Sequence, residues 1–502
     1  LEKAHYSWPS VDQVRAYRNE LRSFVDEQIS TLPLKLPITQ EDPFWVILMG
    51  IEHESIHFET SSVLLRQLDI KQVKPHIDFP ICTTSGSTPK NSMVKVAAQT
   101  VALGKSLNHN QYGWDNEYGH KTEVVDDFVV SQSLISNEEF LAFVEDGGYR
   151  NKAYWDEEGQ HFLAESKASC PVFWVPQTEG YRYRAMLQEI DMPLNWPVDV
   201  NVLEAMAYCR YKSEKEAKSY RLLSEAEWYV LRDEAGLEEF PKEKRMGNSN
   251  LQYYASACPV DTFSFGKVFD VQGNVWQWTQ THMDAYEGFK EHRAYDDFSI
   301  PTFDGKHNIL KGGSFISTGN ELMKYSRYAF RRHFYQHAGF RVVEGDLMST
   351  NEDNIYESDV LVSQYCEFQY GKSYFGVENF AQKCAELASK YSNKHGNALD
   401  LGCATGRATF ELAKSFDKVC GIDFSARFVQ EGASLQKRGK VTYNRQDEGE
   451  LMSHHEHTLE ELGLTGLNEK VEFWQGDACN LKAHYCDYDL IMATNLIDRL
   501  YD

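Results

Sequence analysis

The stretch Gly273-Asn-Val-Trp-Gln-Trp278 decides the fold of the central part of this chain. Its glycine and asparagine suit a tight turn, and its two tryptophans alternate like one face of a strand. From about Val101 to Val343 the sequence keeps this character, with short strands, aromatic residues and many Gly or Asn turns. We therefore predict a mixed domain of strands and helices at residues 101–346.

Different patterns flank this central region. Residues 1–72 contain two helical patterns, and residues 73–100 are predicted to be a polar linker. Residues 354–502 open an α/β pattern with a helix at Phe380–Tyr391 and then a strand, a glycine turn and a helix. The predicted fold class is multidomain α+β and α/β, and 502 residues suffice for about three domains.

Composition excludes several classes of protein. The net charge of −24 argues against nucleic acid or an anionic membrane as partner. The sequence contains no run of eighteen apolar residues, and residues 1–20 lack a signal-peptide pattern, so we expect no membrane span and a cytoplasmic location. The ten cysteines include no CxxC pair, which favours reduced thiols over disulfides or a zinc ribbon.

A pair of histidines upstream suggests a metal site. His53 and His57 lie in a predicted helix that begins with Asp42 as N-cap and Pro43 in the first turn. Side chains four residues apart share a helix face, so both imidazoles can point at one ion. At about 100° per residue, Glu59 lies roughly 120° and 160° from the two histidines. We expect Glu59 to support the site or the packing, and a third ligand to come from another element.

The ligand set and the metal remain open at this point. His53-Glu54-Ser55-Ile56-His57 also matches the HExxH pattern of zinc hydrolases, with Glu54 as general base. Two helix histidines can also be purely structural. His5 is the nearest third ligand within the chain, and a helix upstream of Leu1 is the other candidate. We expect such upstream helices because two amphipathic helices alone do not form a stable unit.

The HxxxHxE pattern on this helix resembles that of the non-haem iron sulfoxide synthases. In that family a DinB-like helical bundle provides three histidine ligands, and a formylglycine-generating-enzyme-like domain follows. The resemblance implies that His53 and His57 bind Fe(II), and that residues 1–72 are part of a DinB-like domain.

The central region resembles the formylglycine-generating-enzyme fold, which is C-type-lectin-like. Five runs in the family's order carry this resemblance: Pro197–Val200, Tyr220–Trp228, Gly273–Trp278, Gly312–Phe315 and Gly339–Arg341. The formylglycine-generating enzymes use a reactive cysteine pair near the end of the domain, and residues 308–343 contain no cysteine. We therefore expect a different chemistry on this scaffold.

Candidate substrate and catalytic residues follow from the same resemblance. The run Tyr112–Tyr118 resembles the sulfoxide synthases, and from it we predict substrate contacts by Trp114, Asp115 and Asn116. Tyr295 aligns with the loop that supplies the family's active-site tyrosine, although it could equally be a packed loop aromatic. Arginine binds carboxylates with two hydrogen bonds, so three arginines are candidate amino-acid contacts. These are Arg327, Arg331 and Arg332, for which ion pairing within an acidic protein is the alternative.

The C-terminal region resembles the class I S-adenosylmethionine-dependent methyltransferases. Asn397–Arg407 reads as a strand, a glycine turn and a helix, although Ala404 stands where a glycine is usual. A dinucleotide-binding dehydrogenase is the alternative. The resemblance predicts cofactor contacts by Asp400, Gly402, Ala404, Gly406, Asp423, Asp477, Ala478 and Asn495. We expect further strands of this domain beyond Asp502.

The order of these three regions resembles the ovothiol synthase family, the 5-histidylcysteine sulfoxide synthases. The family implies coupling of L-cysteine to C5 of L-histidine with O2 and Fe(II). A PLP-dependent lyase then cleaves the sulfoxide, and the methyltransferase methylates thiolhistidine with S-adenosyl-L-methionine. Ile56 replaces the glutamine typical of the ergothioneine-pathway synthases. An ergothioneine-type synthase, a zinc hydrolase and a non-catalytic binding protein are the alternatives.

Overall fold

The computed structural model describes residues 8–237, 247–295, 298–346, 359–373, 376–448, 451–478, 481 and 484–496. Two long helices come first, α1 (Val11–Thr31) and α2 (Pro43–Gln67). The predicted N-cap of α2 is present, because the side chain of Asp42 accepts a hydrogen bond from the first turn of the helix. Ser10 forms a capping box at the start of α1. All of α1 remains at least partly exposed, whereas α2 buries one face against the central domain.

The central domain contains four helices and fifteen short strands among the described residues. The helices are α3 (Asn137–Glu145), α4 (Glu157–Ser166), α5 (Val202–Glu216) and α6 (Glu225–Glu234). The first eight strands are β1 (Met93–Val96), β2 (Gln99–Leu103), β3 (Lys121–Val125), β4 (Phe128–Ser131), β5 (Trp174–Pro176), β6 (Tyr181–Arg184), β7 (Glu189–Asp191) and β8 (Tyr220–Leu222). The other seven are β9 (Ser264–Phe265), β10 (Val268–Phe269), β11 (Trp276–His282), β12 (His307–Lys311), β13 (Tyr328–Arg331), β14 (Ala338–Gly339) and β15 (Val342–Glu344).

Two four-stranded sheets organise this domain. One has the order β1-β4-β15-β8 and the other β13-β12-β11-β14. Because β1 belongs to the first sheet, residues 73–100, predicted as a linker, contribute a strand. The predicted turn and strand at the start of β11 are present: Gly273 and Asn274 both have positive φ, and Trp276 and Trp278 are buried. The two tryptophans therefore join an aromatic core that extends across the domain.

The C-terminal region is an α/β unit, as its sequence pattern predicts. Its helices are α7 (Asp359–Tyr370), α8 (Phe380–Tyr391), α9 (Arg407–Leu412) and α10 (Ala426–Arg438). A parallel sheet has the order β20-β17-β16-β21, and its strands are β16 (Asn397–Leu401), β17 (Lys418–Asp423), β20 (Val471–Gln475) and β21 (Leu490–Ala493). An antiparallel hairpin, β18 (Lys440–Glu448) and β19 (Leu451–Thr458), lies between α10 and β20 in the chain.

The length and the apolar content of a helix decide whether it can cross a membrane. Among the helices that the structure describes, none combines the length and the apolar content that crossing a bilayer requires.

Candidate metal and cofactor sites

The histidine helix α2 is fixed to the central domain by a buried carboxylate. Glu59 is 3% exposed, and its Oε1 accepts a hydrogen bond from Trp276 Nε1 (2.7 Å) and another from the Ser314 hydroxyl. Its Oε2 accepts a hydrogen bond from Ser317 Oγ (2.8 Å). Burial raises the pKa of Glu59, and these hydrogen bonds oppose the shift. Glu59 thus serves packing, as its position on the helix predicts.

A second buried contact fixes the C-terminal end of α2. Arg66 donates to Asp199 Oδ2 (2.9 Å) and to the carbonyl of Arg184, and its guanidinium lies 3.5 Å from the Phe173 ring centroid. Arg66 also lies 3.0 Å from Nδ1 of buried His337. A buried charge is stable only when paired and hydrogen-bonded, as this one is. No local sequence pattern predicts these contacts of Arg66, because its partners are more than 100 residues away in the chain.

The two helix histidines face a tyrosine of the central domain. The ring centroids of His53 and His57 lie 4.4 Å apart with the rings almost perpendicular. His53 Nε2 lies 3.2 Å from the hydroxyl oxygen of Tyr295, a residue 242 positions later. His53 is half-buried and His57 is exposed. The histidine pair is therefore accessible from solvent, and it lies between α2 and the segment that connects β11 to β12 and carries Tyr295, here called the tyrosine loop.

This pair has the properties of metal ligands. Burial, followed by the neighbouring His57, lowers the pKa of His53, which favours the neutral imidazole that binds metals. The two rings are close enough to bind one ion, so the residues present fit an iron site supplied by two histidines. Within the described ranges no group of three or more His, Cys, Asp or Glu side chains could hold a metal. The candidate third ligand His5 lies outside the described residues.

The loop that carries Tyr295 is supported by the predicted Trp114–Asn116 segment. Trp114 is buried, stacks on Phe298 at 4.1 Å between centroids, and lies 6.1 Å from the Tyr295 ring. Asp115 is also buried, and its carboxylate accepts a hydrogen bond from the Ser299 hydroxyl. The structure therefore brings Trp114 beside Tyr295 and Asp115 into contact with Ser299, four residues after Tyr295. Their roles as substrate contacts stay predictions.

Asn116 and the three candidate arginines lie in internal polar contacts. The Asn116 carbonyl accepts a hydrogen bond from buried Arg327, which also donates to Glu225 (3.2 Å). Arg332 donates to Glu158 (2.8 Å), and the more exposed Arg331 lies 3.9 Å from Asp304. The contacts with Glu225, Glu158 and Asp304 are ion pairs within the protein, which is the alternative role considered for these arginines. Carboxylate binding by the three arginines stays a prediction.

The predicted glycine turn lies at the carboxyl end of β16. Gly402, Ala404 and Gly406 all have positive φ, so Ala404 adopts the left-handed conformation that usually favours glycine. A Cβ on Gly406 would lie 2.5 Å from the Phe473 ring, which leaves no space for a side chain. Asp400 is buried, and its carboxylate accepts a hydrogen bond from Thr409 (2.8 Å).

An acidic residue from the next strand faces this turn. Asp423 ends β17 and accepts hydrogen bonds from the backbone N–H groups of Ala404 (2.8 Å) and Ser425 (2.9 Å). Burial raises the pKa of Asp423 to about 6. Asp477 and Ala478 follow β20, and Asn495 follows β21 with positive φ, so these three follow the two outer strands of the parallel sheet, on either side of β17 and β16. Ligands of open α/β sheets bind at this edge, so the turn and Asp423 fit S-adenosylmethionine.

Comparison with known proteins identifies the central domain. Residues 79–345 match the family model described as the sulfatase-modifying factor enzyme 1-like domain (FGE-sulfatase). The chain belongs to this family. The matched range contains β1 to β15 and begins within residues 73–100, so it includes the tyrosine loop but ends before the C-terminal α/β unit.

Curated relatives extend this family match. Hercynine oxygenase of Mycolicibacterium thermoresistibile is 26% identical over 68% of this chain and 76% of its own length. Ergothioneine biosynthesis protein 1 of Schizosaccharomyces pombe is 24% identical over 67% of this chain, which spans only 43% of that longer protein. Formylglycine-generating enzyme of Bos taurus is 24% identical over 47% of this chain and 69% of its length. The FGE-sulfatase domain of this chain is thus homologous to that of oxygenases.

Solved structures align less closely. PvdO of Pseudomonas aeruginosa aligns with 53% of this chain and all of its own at 17% identity and a TM-score of 0.36. Phosphoethanolamine N-methyltransferase 1 of Haemonchus contortus aligns with 23% of this chain and 18% of its own, at 19% identity and a TM-score of 0.15. At these scores neither likeness supports a functional assignment.

Proposed function

We propose that this protein is a non-haem iron(II) sulfoxide synthase that joins the sulfur of cysteine to an imidazole carbon of a histidine-type substrate. The observation that carries the proposal is the approach of the Tyr295 hydroxyl to His53 Nε2 at 3.2 Å, beside the second histidine of the same helix face. The homology to hercynine oxygenase supports it. In this proposal α1 and α2 belong to a DinB-like helical bundle.

The reaction balances with one molecule of dioxygen. The imidazole C–H and the thiol S–H are lost, a C–S bond forms, one oxygen atom goes to sulfur and the other leaves as water. Bound ferrous iron would supply the activation of dioxygen and the oxidation that joins the two substrates.

The chain's own residues hold and position the reacting groups. His53 and His57 would bind the metal as neutral imidazoles. Tyr295 would hold a proton on its hydroxyl oxygen. Because this oxygen lies close to His53 Nε2, the proton would be within reach of the groups that react beside His53, and a proton donor must be positioned in this way. Asp115 and the Trp114–Phe298 stack keep the loop of Tyr295 in place.

The identity of the histidine-type substrate is the finer question. The curated relatives favour the ergothioneine-type reaction, because one is named for hercynine, the trimethylated betaine of histidine, and another for ergothioneine biosynthesis. A second candidate, 5-histidylcysteine sulfoxide synthesis from L-histidine on the way to ovothiol, is favoured by the α/β unit that follows β15. Its glycine turn and Asp423 suit S-adenosyl-L-methionine, which would methylate the thiolhistidine that a PLP-dependent lyase releases. The proposed location is the cytoplasm.

One experiment tests both levels of this proposal. The protein is loaded with Fe(II) anaerobically and exposed to O2 with L-cysteine and either L-histidine or hercynine, and products are identified by mass spectrometry. Oxygen uptake that yields a sulfoxide with either substrate supports the synthase, and the preferred substrate decides between the two types. No sulfoxide with either, together with retention of zinc and hydrolysis that requires Glu54, would replace the proposal with the zinc-hydrolase alternative.

A further inference from the structure

One side chain joins the C-terminal α/β unit to the central domain. Gln475, at the end of β20, donates through Nε2 to the carbonyl of Ile300 (3.1 Å) and to the carbonyl of Phe424 (3.0 Å). A primary amide has two N–H groups, so one can serve each carbonyl. The side chain therefore bridges two separate elements with a single group.

One end of this bridge lies at the candidate S-adenosylmethionine site. Phe424 directly follows Asp423, whose carboxylate accepts the hydrogen bond from Ala404 in the glycine turn. The backbone N–H of Gly476, next to Gln475, donates to the Asp423 carbonyl (3.0 Å). The residue pair Gln475–Gly476 therefore contacts the backbone carbonyl of the acidic residue and that of the residue after it.

The other end of the bridge lies in the loop of Tyr295. Ile300 is buried and follows Ser299, whose hydroxyl donates to Asp115. Phe298, which directly precedes Ser299, packs against Tyr295 at 5.1 Å between ring centroids and stacks on Trp114. A shift of the Ile300 carbonyl would therefore be transmitted over a few residues to the tyrosine that faces His53.

A positive charge of the central domain lies near the same interface. Glu431 lies on α10, and burial raises its pKa, whereas the positive charges of Arg427, Arg438 and Lys306 lower it. Lys306 belongs to the central domain, six residues after Ile300. The carboxylate of Glu431 is therefore under the electrostatic influence of a side chain in the other domain.

We propose that Gln475 is a positioning residue that couples the candidate S-adenosylmethionine site to the Tyr295 loop. The inference rests on the proposed assignment of these two sites. A cofactor that orders Asp423 and Phe424 also orders Gln475 and through it the Ile300 segment. Coupling between two sites is reciprocal, so the factor by which bound cofactor favours the ordered Ile300 segment equals the factor by which that ordered segment strengthens cofactor binding.

The test is hydrogen exchange on the full chain, with and without S-adenosylhomocysteine. Two groups of backbone amides report on the two ends: Ala404, which bonds to Asp423, and Thr302 with Phe303, which bond to Ser299 and Ile300. We expect S-adenosylhomocysteine to slow exchange at both ends. Without ligand, Gln475→Leu should speed exchange at Thr302 and Phe303 about fivefold, as expected for loss of one net hydrogen bond.

Two further variants isolate the bridge. Gln475→Glu keeps the size of the side chain and removes its donors, so it should behave like Gln475→Leu. Gln382→Leu removes an exposed amide on α8 that bonds to Glu386 (3.3 Å) and should leave both ends unchanged.

Each outcome has a defined meaning. Ligand protection at Ala404 without protection at Thr302, or protection at both ends that persists in Gln475→Leu, would overturn the coupling. If S-adenosylhomocysteine slowed exchange at neither end, both the cofactor site and the coupling would be refuted. The proposed sulfoxide synthesis would not be refuted by that result, because it is tested separately by product analysis.

Discussion

Removal of the buried carboxylate of Glu59 should destabilise the contact between the central domain and α2, the helix that carries His53 and His57. Glu59→Ala leaves three buried donors without their acceptor: the Trp276 indole N–H and the hydroxyls of Ser314 and Ser317. The two hydroxyls lie 3.4 Å apart and can turn toward each other, whereas the indole cannot. An unsatisfied buried donor costs about 1–3 kcal/mol, so with the lost packing we expect about 3 kcal/mol.

Matched variants separate this effect from general damage. Glu59→Gln preserves the shape of the side chain and one carbonyl acceptor. Burial raises the pKa of Glu59 and thus favours its neutral carboxyl form, which a neutral amide resembles. We therefore expect Glu59→Gln to cost only about 1 kcal/mol of stability. Glu54→Ala removes an exposed carboxylate from the same helix and should change stability by less than about 0.5 kcal/mol. The assay is thermal unfolding by calorimetry, in which about 3 kcal/mol lowers the transition of the central domain by roughly 6–12 °C.

The pH dependence provides a further check on Glu59. A carboxyl with a raised folded-state pKa binds its proton more tightly in the fold, so its contribution is present at low pH and is lost as pH rises through the folded pKa. This loss should be smaller in Glu59→Gln, in which the neighbouring buried carboxyl of Glu321, whose pKa burial also raises, still titrates. A Glu59→Ala protein as stable as Glu54→Ala would refute the reasoning, because the carboxylate would then not hold α2.

Two further predictions concern the sites themselves. Tyr295→Phe removes the hydroxyl beside His53 and should lower sulfoxide formation on the order of 100-fold with iron content unchanged, measured by product mass analysis and metal analysis. Asp423 should bind ribose hydroxyls when ionised; with its pKa raised to about 6, S-adenosylhomocysteine affinity should fall about tenfold from pH 7.5 to pH 5, by calorimetry. Asp423→Asn should abolish this pH step.

Other results would contradict these two predictions. Full turnover in Tyr295→Phe would return Tyr295 to the role of a packed aromatic. An equal pH step in Asp423→Asn would assign the titration to another group, such as Asp400, whose pKa burial raises to about 7.

Local features of the fold follow from local sequence. The N-cap of α2 and the turn at Gly273 each depend on a few neighbouring residues, so their positions are predictable from residue type. The glycine turn after β16 is predictable for the same reason. The hairpin β18–β19 was not predicted, because its strands consist mainly of polar residues, three histidines among them, and lack a clear apolar alternation.

The candidate site depends on contacts that no local pattern contains. Tyr295 reaches His53 across 242 residues, and Trp276 reaches Glu59 across 217. Helix geometry predicts that Glu59 points away from the histidines, but only the fold shows what it contacts. Resemblance to a family proposed Tyr295, and the folded chain brings its hydroxyl to the histidine pair.

The amount of iron bound after anaerobic Fe(II) loading shows whether His53 and His57 are metal ligands. The protein and its His53→Ala and His57→Ala variants are loaded, freed of unbound iron by gel filtration and analysed for bound iron, with His76→Ala as a matched control at an exposed histidine outside the site. We expect His53→Ala and His57→Ala each to lose most of the bound iron and His76→Ala to retain it. Equal iron in all four proteins would contradict the assignment of His53 and His57 as ligands.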